Sequence, residues 1–264
     1  MREALSLKDY KSLSEDDKAI MSKYIRPSIH VPYGHDRYIN IDNELFSSGQ
    51  LDNKVKGLYV WLCTYKQLDR NTDKIIAPRM SLDFIIASTG LDNPSGYAIK
   101  ILRQMLISLE NHGLIKADKD LASINKTVWF DVEILHAREK FEYFTQVYIG
   151  NVDAIMRSSD GLDAFKHIYT YAVVRSFVTS NKKYTKVVTI KKRLISERMN
   201  VSKNTYYNRL HWLRDHHVIG MFNVQMLNDY GGQKVLMTDI RDMKDLVTTI
   251  DDWKRRKIIS KVLS

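Results

Sequence analysis

The sequence predicts a mostly α fold with small β-wings (α+β), built from one helix–turn–helix unit used twice. Three observations predict it. First, Ser196-Glu197-Arg198-Met199-Asn200-Val201-Ser202-Lys203-Asn204-Thr205-Tyr206-Tyr207, then Leu210, Leu213, Val218 and Ile219, has the spacing of helix, tight turn, second helix and strand entry. Second, a weaker copy of that order runs from Ser81 to Ile115. Leu91 and Val201 differ by 110 positions, Ile75 and Val187 by 112, and Ile115 and Ile219 by 104, so the drift falls in loops, as in a duplicated domain. Third, each copy continues into two apolar runs around a polar tip, the pattern of a β-hairpin. Together these features predict two tandem winged helix-turn-helix domains, a layout whose second helix enters the major groove of DNA.

The elements follow in order. Ser14 with Glu15-Asp16-Asp17 reads as an N-cap and acidic first turn for a short helix to Tyr24, and Arg37 to Ile41 alternates like a short strand. Asp52 or Asn53 caps a helix through Tyr65 whose apolar stripe is Val55, Leu58, Trp61, Leu62 and Tyr65. Ile75-Ile76 is a short strand. Helices then start at Ser81 and at about Ser95, and the latter buries Ile101, Leu102, Met105, Leu106 and Leu109 until Gly113 stops it in a left-handed conformation. Leu114-Ile115 and Val128 to Val132 are strands around the polar tip Lys119 to Lys126.

His136 to Tyr148 has helical spacing, and Ser158 to Gly161 marks a boundary. The second copy begins with a helix over Leu162 to Val178, then Val187-Val188, and helices over Ile190 to Met199 and Ser202 to His216. Its strands, Ile219 to Leu227 and Lys234 to Met237, flank the turn Asn228 to Gly232. A helix near Asp245 to Leu263 carries Lys254-Arg255-Arg256-Lys257. The organisation expected is an N-terminal arm and helix over 1–51, a first winged-helix domain over 52–135, a connector helix over 136–160, a second winged-helix domain over 161–240, and a basic amphipathic C-terminal helix over 241–264.

Composition bounds the function. The 264 residues carry 41 Lys plus Arg against 31 Asp plus Glu, a net +10 that favours a polyanionic partner. The hydrophobic content of 44% is ample for packed cores. A single cysteine, Cys63 in an apolar run, excludes an internal disulfide and a Cys-rich zinc site. There is no apolar signal core and no run of 18 apolar residues, so a reducing, cytoplasmic, non-membrane location is expected.

The charge is concentrated. Between 182 and 217 there are ten bases and two acids, a net +8. In the second copy Tyr206, Leu210 and Leu213 face the core, with Val201 in the turn. Lys203, Asn204, Tyr207, Asn208, His211 and Arg214 are left outside, with Thr205 and Arg209 beside them. Ser202 can cap the helix, and its N-terminus can meet a phosphate. Lysine suits guanine acceptors, asparagine suits adenine, and tyrosine suits stacking, methyl contact or a phosphate. Lys191, Lys192 and Arg193 add charge at the preceding helix. These are the candidate DNA-binding residues, together with Ser95, Tyr97, Lys100 and Arg103 of the first copy. The first copy is neutral between 79 and 112, with three bases against three acids, so contact with DNA and contact with a protein partner both stay open for it.

On these marks the chain resembles the tandem winged-helix replication initiators of bacterial plasmids and related phage proteins. The resemblance covers about residues 52–240. It rests on the element order in both halves, on Leu194 to Thr205 and on Leu109 to Ile115. It implies binding to repeated origin sites, opening of adjacent duplex, and recruitment of host replication proteins. By position it carries over to Ser202, Lys203, Asn204, Tyr207 and Asn208, while the neutral first copy departs from two equally strong readers. The alternatives are a transcription regulator of a mobile element, binding a palindrome as a homodimer, and a protein-interaction scaffold without DNA contact. No phosphate-binding glycine loop, metal-ligand histidine spacing or nucleophile motif is present, so no enzyme activity, metal or cofactor is expected.

Overall fold

A computed structural model of the chain describes residues 5–25, 37–47, 49–91, 95–135, 144–179, 186–190, 192–227 and 232–263. Its elements are α1 (Glu15–Ser22), β1 (Tyr38–Asp42), α2 (Glu44–Ser47), α3 (Asn53–Thr64), β2 (Gln67–Asp69), β3 (Lys74–Met80), α4 (Leu82–Ala87), α5 (Gly96–Asn111), β4 (Ile115–Ala117), β5 (Phe130–Ile134) and β6 (Phe144–Tyr148). They continue with α6 (Ile149–Ser158), α7 (Asp163–Thr179), β7 (Val188–Ile190), α8 (Lys192–Met199), α9 (Lys203–Asp215), β8 (Ile219–Met226), β9 (Gln233–Asp239), α10 (Met243–Arg255) and β10 (Ile259–Val262). This is a mixed α+β fold. Among the described residues no helix is long and apolar enough to cross a membrane. The chain divides into one unit over 37–172 and another made of 1–36 with 173–264, and α7 runs through the division.

In the 37–172 unit, α3 is the central helix. Asp52 caps it by accepting from the Lys54 amide at 2.7 Å, and residues 53 and 55–63 are all buried. The expected stripe on α3 is therefore part of a helix enclosed nearly all round. Even Lys56 is covered, its ammonium 5.1 Å from the Tyr169 ring centroid, and burial lowers its pKa against the pull of Asp52. Gly57 is required there: a Cβ on it would lie 1.8 Å from the Phe165 carbonyl oxygen of α7. Cys63 is buried, and burial pushes its thiol up to about 11, which keeps it protonated and unreactive. A four-stranded sheet, in the order β2-β3-β5-β4, lies in this unit, with α4 and α5 between its second and third strands in the chain. Ser81 and Ser95 cap α4 and α5 through the amides of Phe84 and Ala98.

The same unit holds a second, two-stranded sheet of β1 against β6, with Ile39 and Ile41 facing in beside Thr145 and Val147. Here the connector departs from expectation. Residues 136–143 lie outside the described residues, but Phe144–Tyr148 is a strand, and only Ile149–Ser158 is helical. The partner that makes it a strand is β1, about a hundred residues earlier in the chain.

In the other unit the sheet order is β10-β8-β9-β7. Its core gathers Leu13 and Met21 from the N-terminal segment with Phe222, Val224 and Leu236 of the sheet and Leu246, Val247 and Ile250 of α10. The N-terminal arm is thus part of this core. Ser14 and Asp17 form a capping box at the start of α1. The C-terminal helix stops at Arg255, and Ile259–Val262 is a strand against β8. Lys257 breaks the helix by adopting φ 53°, while the Ile258 amide bonds the Trp253 carbonyl at 2.8 Å. The same stop ends α5 and α9: Gly113 (φ 66°) and His217 (φ 54°) turn left-handed, and Leu114 and Val218 bond back to Leu109 and Leu213. Each helix then runs directly into a strand.

Candidate nucleic-acid interface

The candidate interface is built around the turn between α8 and α9. Asn200 holds it at φ 49°, a conformation asparagine tolerates better than most residues. The amides of Asn200 and Val201 bond back to the carbonyls of Glu197 and Ser196, both at 3.1 Å. Ser202 then caps α9: its hydroxyl accepts from the Thr205 amide at 3.2 Å and shares a hydrogen bond of 2.8 Å with the Thr205 hydroxyl. Tyr206, Leu210 and Leu213 are buried and set the rotation of the helix. The burial pushes the Tyr206 phenol up to about 12, with Tyr207 beside it adding to the effect.

That rotation leaves Ser202, Lys203, Asn204 and Asn208 exposed. Thr205, Tyr207, Arg209 and His211 are half-buried. Tyr207 is held in place, donating from its hydroxyl to Asn223 Oδ1 at 3.1 Å with its ring 4.8 Å from that of His211. Lys191 lies outside the described residues, as do the side chains of Lys192 and Arg193, which open α8.

Arg214 is a correction. Its charge predicts the outer side, but it is 5% exposed, stacked 4.0 Å over the Tyr24 ring, with Nε 3.0 Å from Asp215. The N-terminal segment covers it. Other cations of the basic segment also serve the fold. Arg198 donates to the Ser176 hydroxyl at 2.8 Å and lies over the Phe177 ring, and Lys186 pairs with Asp242 at 2.7 Å.

In the 37–172 unit, the cap residue Ser95 and Tyr97, Lys100 and Gln104 of α5 are exposed, Tyr97 at 73%. Arg103 is the second correction. Its guanidinium donates to the carbonyls of Ala122 and Ile124 at 2.6 and 2.7 Å, so it clamps the loop between β4 and β5 instead of facing outward. Sequence reading missed the exposed indole of Trp129 in that loop. The signal was present: alternation through Phe130 and Val132, both buried, points Trp129 the other way. Among the described residues no cluster of His, Cys, Asp or Glu is arranged to hold a metal ion. Comparison with known protein families, with curated proteins and with solved structures gives no match.

Proposed function

We propose that this chain is a sequence-specific duplex-DNA-binding protein of the bacterial cytoplasm, a binding protein and not an enzyme, with two tandem winged helix-turn-helix domains. In its most specific form, the reading is a plasmid or phage replication initiator that binds repeated origin sites and recruits host replication proteins. The observation that carries it is the start of α9. Ser202, Lys203, Asn204 and Asn208 are exposed on a capped helix, in a segment of net charge +8, while the inward residues lock the helix to its core. The sheet orders support the winged-helix reading. In β3-β5-β4 and in β7-β9-β8, the first strand pairs with the third and the third with the second.

The decisive experiment is selection of bound fragments from a random duplex pool. Enrichment of tandem direct repeats is expected. A single inverted repeat would instead indicate a homodimeric regulator of a mobile element. Absence of enrichment would overturn the reading: retention that vanishes at moderate salt would leave a nonspecific basic protein, and no retention at all a protein-interaction scaffold. With roughly five phosphates contacted, log affinity against log salt should have a slope of about −4 to −5.

Substitution tests the assigned face. Lys203→Ala or Asn204→Ala should cost about 1–3 kcal/mol at the selected site and relax the base preference there. Lys192→Ala should weaken all sequences alike. Equal effects from all three, measured on selected and scrambled duplexes, would sink the assignment of α9.

A further inference from the structure

We infer that the Asp17–Lys254 ion pair is a guard on the free edge of the β10-β8-β9-β7 sheet. Its two side chains stand where a neighbouring strand would, and they keep β10 from pairing with β10 of a second copy of this chain. β10 is the end strand of that sheet, held on one side by β8. An end strand offers backbone N–H and C=O groups to any strand that meets it, and folded chains associate along such edges. On β10 two of these groups are taken by side chains. The Val262 amide donates to Asp17 Oδ1 at 2.8 Å, and the Ser260 carbonyl accepts from the Lys254 ammonium at 2.8 Å. The two side chains in turn meet each other, with Lys254 Nζ 2.6 Å from Asp17 Oδ2. One acceptor and one donor, joined by their own ion pair, thus supply the bonds that a strand would bring.

Stability alone does not call for a charged pair at this place, because apolar residues of similar volume often hold a fold as well. Apolar residues could not bond the Val262 amide or the Ser260 carbonyl, and a backbone group left unbonded there is open to another chain. Space for that chain exists. A cleft of about 650 Å³ opens between α1 and β10, lined by Asp17, Ile20, Lys254, Ser260 and Lys261. Lys261 is exposed on β10 and presents its charge to an approaching copy that carries the same charge. The occupant excluded is a second β10, since antiparallel pairing about a two-fold axis lets the donors of each strand meet the acceptors of the other. The other unit repeats half of the device: β4 ends its sheet, and the Ala117 amide donates to Glu110 Oε1 of α5 at 3.1 Å.

The test is sedimentation velocity of the full chain over a range of concentrations, with circular dichroism to show that each variant is folded. Asp17→Ala with Lys254→Met frees both edge groups, and its mass should rise with concentration towards about twice that of the parent. Asp17→Asn loses the charge and weakens the fold but keeps an acceptor for the Val262 amide, so it should sediment as the parent does. Association that follows the freed edge is thereby separated from association that follows lost stability. Adding Val262→Pro to the double variant removes the freed donor, at a place where an end strand tolerates proline, and should return the mass to that of the parent. If the alanine double variant fails to fold, Asp17→Leu with Lys254→Met refills the volume and frees the same two groups. An unchanged mass in the folded double variant, equal association in Asp17→Asn, or association that survives Val262→Pro would overturn the guard. The inference does not depend on the duplex reading, since every measurement is made without nucleic acid.

Discussion

Gly57→Ala is expected to destabilise the 37–172 unit by at least about 3 kcal/mol. Two effects compete. Alanine in mid-helix is favoured over glycine by about 1 kcal/mol, so the substitution would be stabilising at an open position. At Gly57 the new Cβ would lie 1.8 Å from the carbonyl oxygen and 2.6 Å from the carbonyl carbon of Phe165. Both atoms are helix backbone and cannot swing aside as a flexible side chain would, so α3 and α7 must separate. That separation opens the contacts Trp61 and Tyr169 make nearby, with Phe165 at 6.1 Å and Phe46 at 6.0 Å. Overpacking therefore outweighs propensity. Gly96→Ala is the control: it lies at the first position of α5 with nothing within 4 Å of the new Cβ, so stability should hold or rise slightly. Chemical denaturation of the three proteins checks this, and a Gly57→Ala chain as stable as the parent would show that the helices are not in contact there.

Much of the element order is legible in the sequence because local signals define it. Ser14, Ser81, Ser95 and Ser202 all cap helices, each accepting from an amide three residues on. Gly113 announces its left-handed turn, because glycine has no Cβ to oppose it. His217 and Lys257 make the same turn without any such announcement, and the second of these ends the C-terminal helix at Arg255 although the apolar spacing continues. The apolar residues Ile250, Trp253, Ile258 and Val262 fit a helical stripe by spacing alone. What divides them is the pairing of β10 with β8, a partner distant in the chain. Strand β6 is the same case: Phe144 to Tyr148 becomes a strand only because β1 lies beside it.

The candidate interface was legible for a related reason. Tyr206, Leu210 and Leu213 fix which way α9 turns, and the exposed set follows from the 3.6-residue period. Arg214 follows the helical period and not its charge. It lies four residues beyond Leu210 and seven beyond the half-buried Tyr207, on the same flank. Burial of that flank becomes tolerable when Tyr24 offers its ring face to the guanidinium. Arg103 fails differently: nothing local reveals that the carbonyls of Ala122 and Ile124, some twenty residues on, will converge on its guanidinium.

The longest-range hydrogen bond among the described residues gives the second large effect. Asp17→Ala is expected to cost about 3–5 kcal/mol near pH 7, the range for removing one partner of a buried ion pair. Asp17 is 1% exposed, and its carboxylate accepts from the Val262 amide at 2.8 Å, 245 residues away. It also accepts from the Ser14 amide and hydroxyl at 3.1 and 2.7 Å, and lies 2.6 Å from the Lys254 ammonium. Truncation strands a mostly buried cation and an amide on β10. Burial opposes ionisation of Asp17, but Lys254, Val262 and Ser14 together outweigh it and hold the carboxyl below its ordinary 3.8. A folded-state pKa that is depressed contributes stability above the unfolded value, and that contribution is lost as pH falls through the folded value. The gap between the parent and Asp17→Asn should therefore be full at neutral pH and shrink below about pH 4. Adding Lys254→Met to Asp17→Ala should recover part of the loss, because the stranded cation is gone. Denaturation of these chains across pH checks all three statements, and a gap that stays constant down to pH 3 would mean the carboxylate charge plays no part in joining α1 to β10.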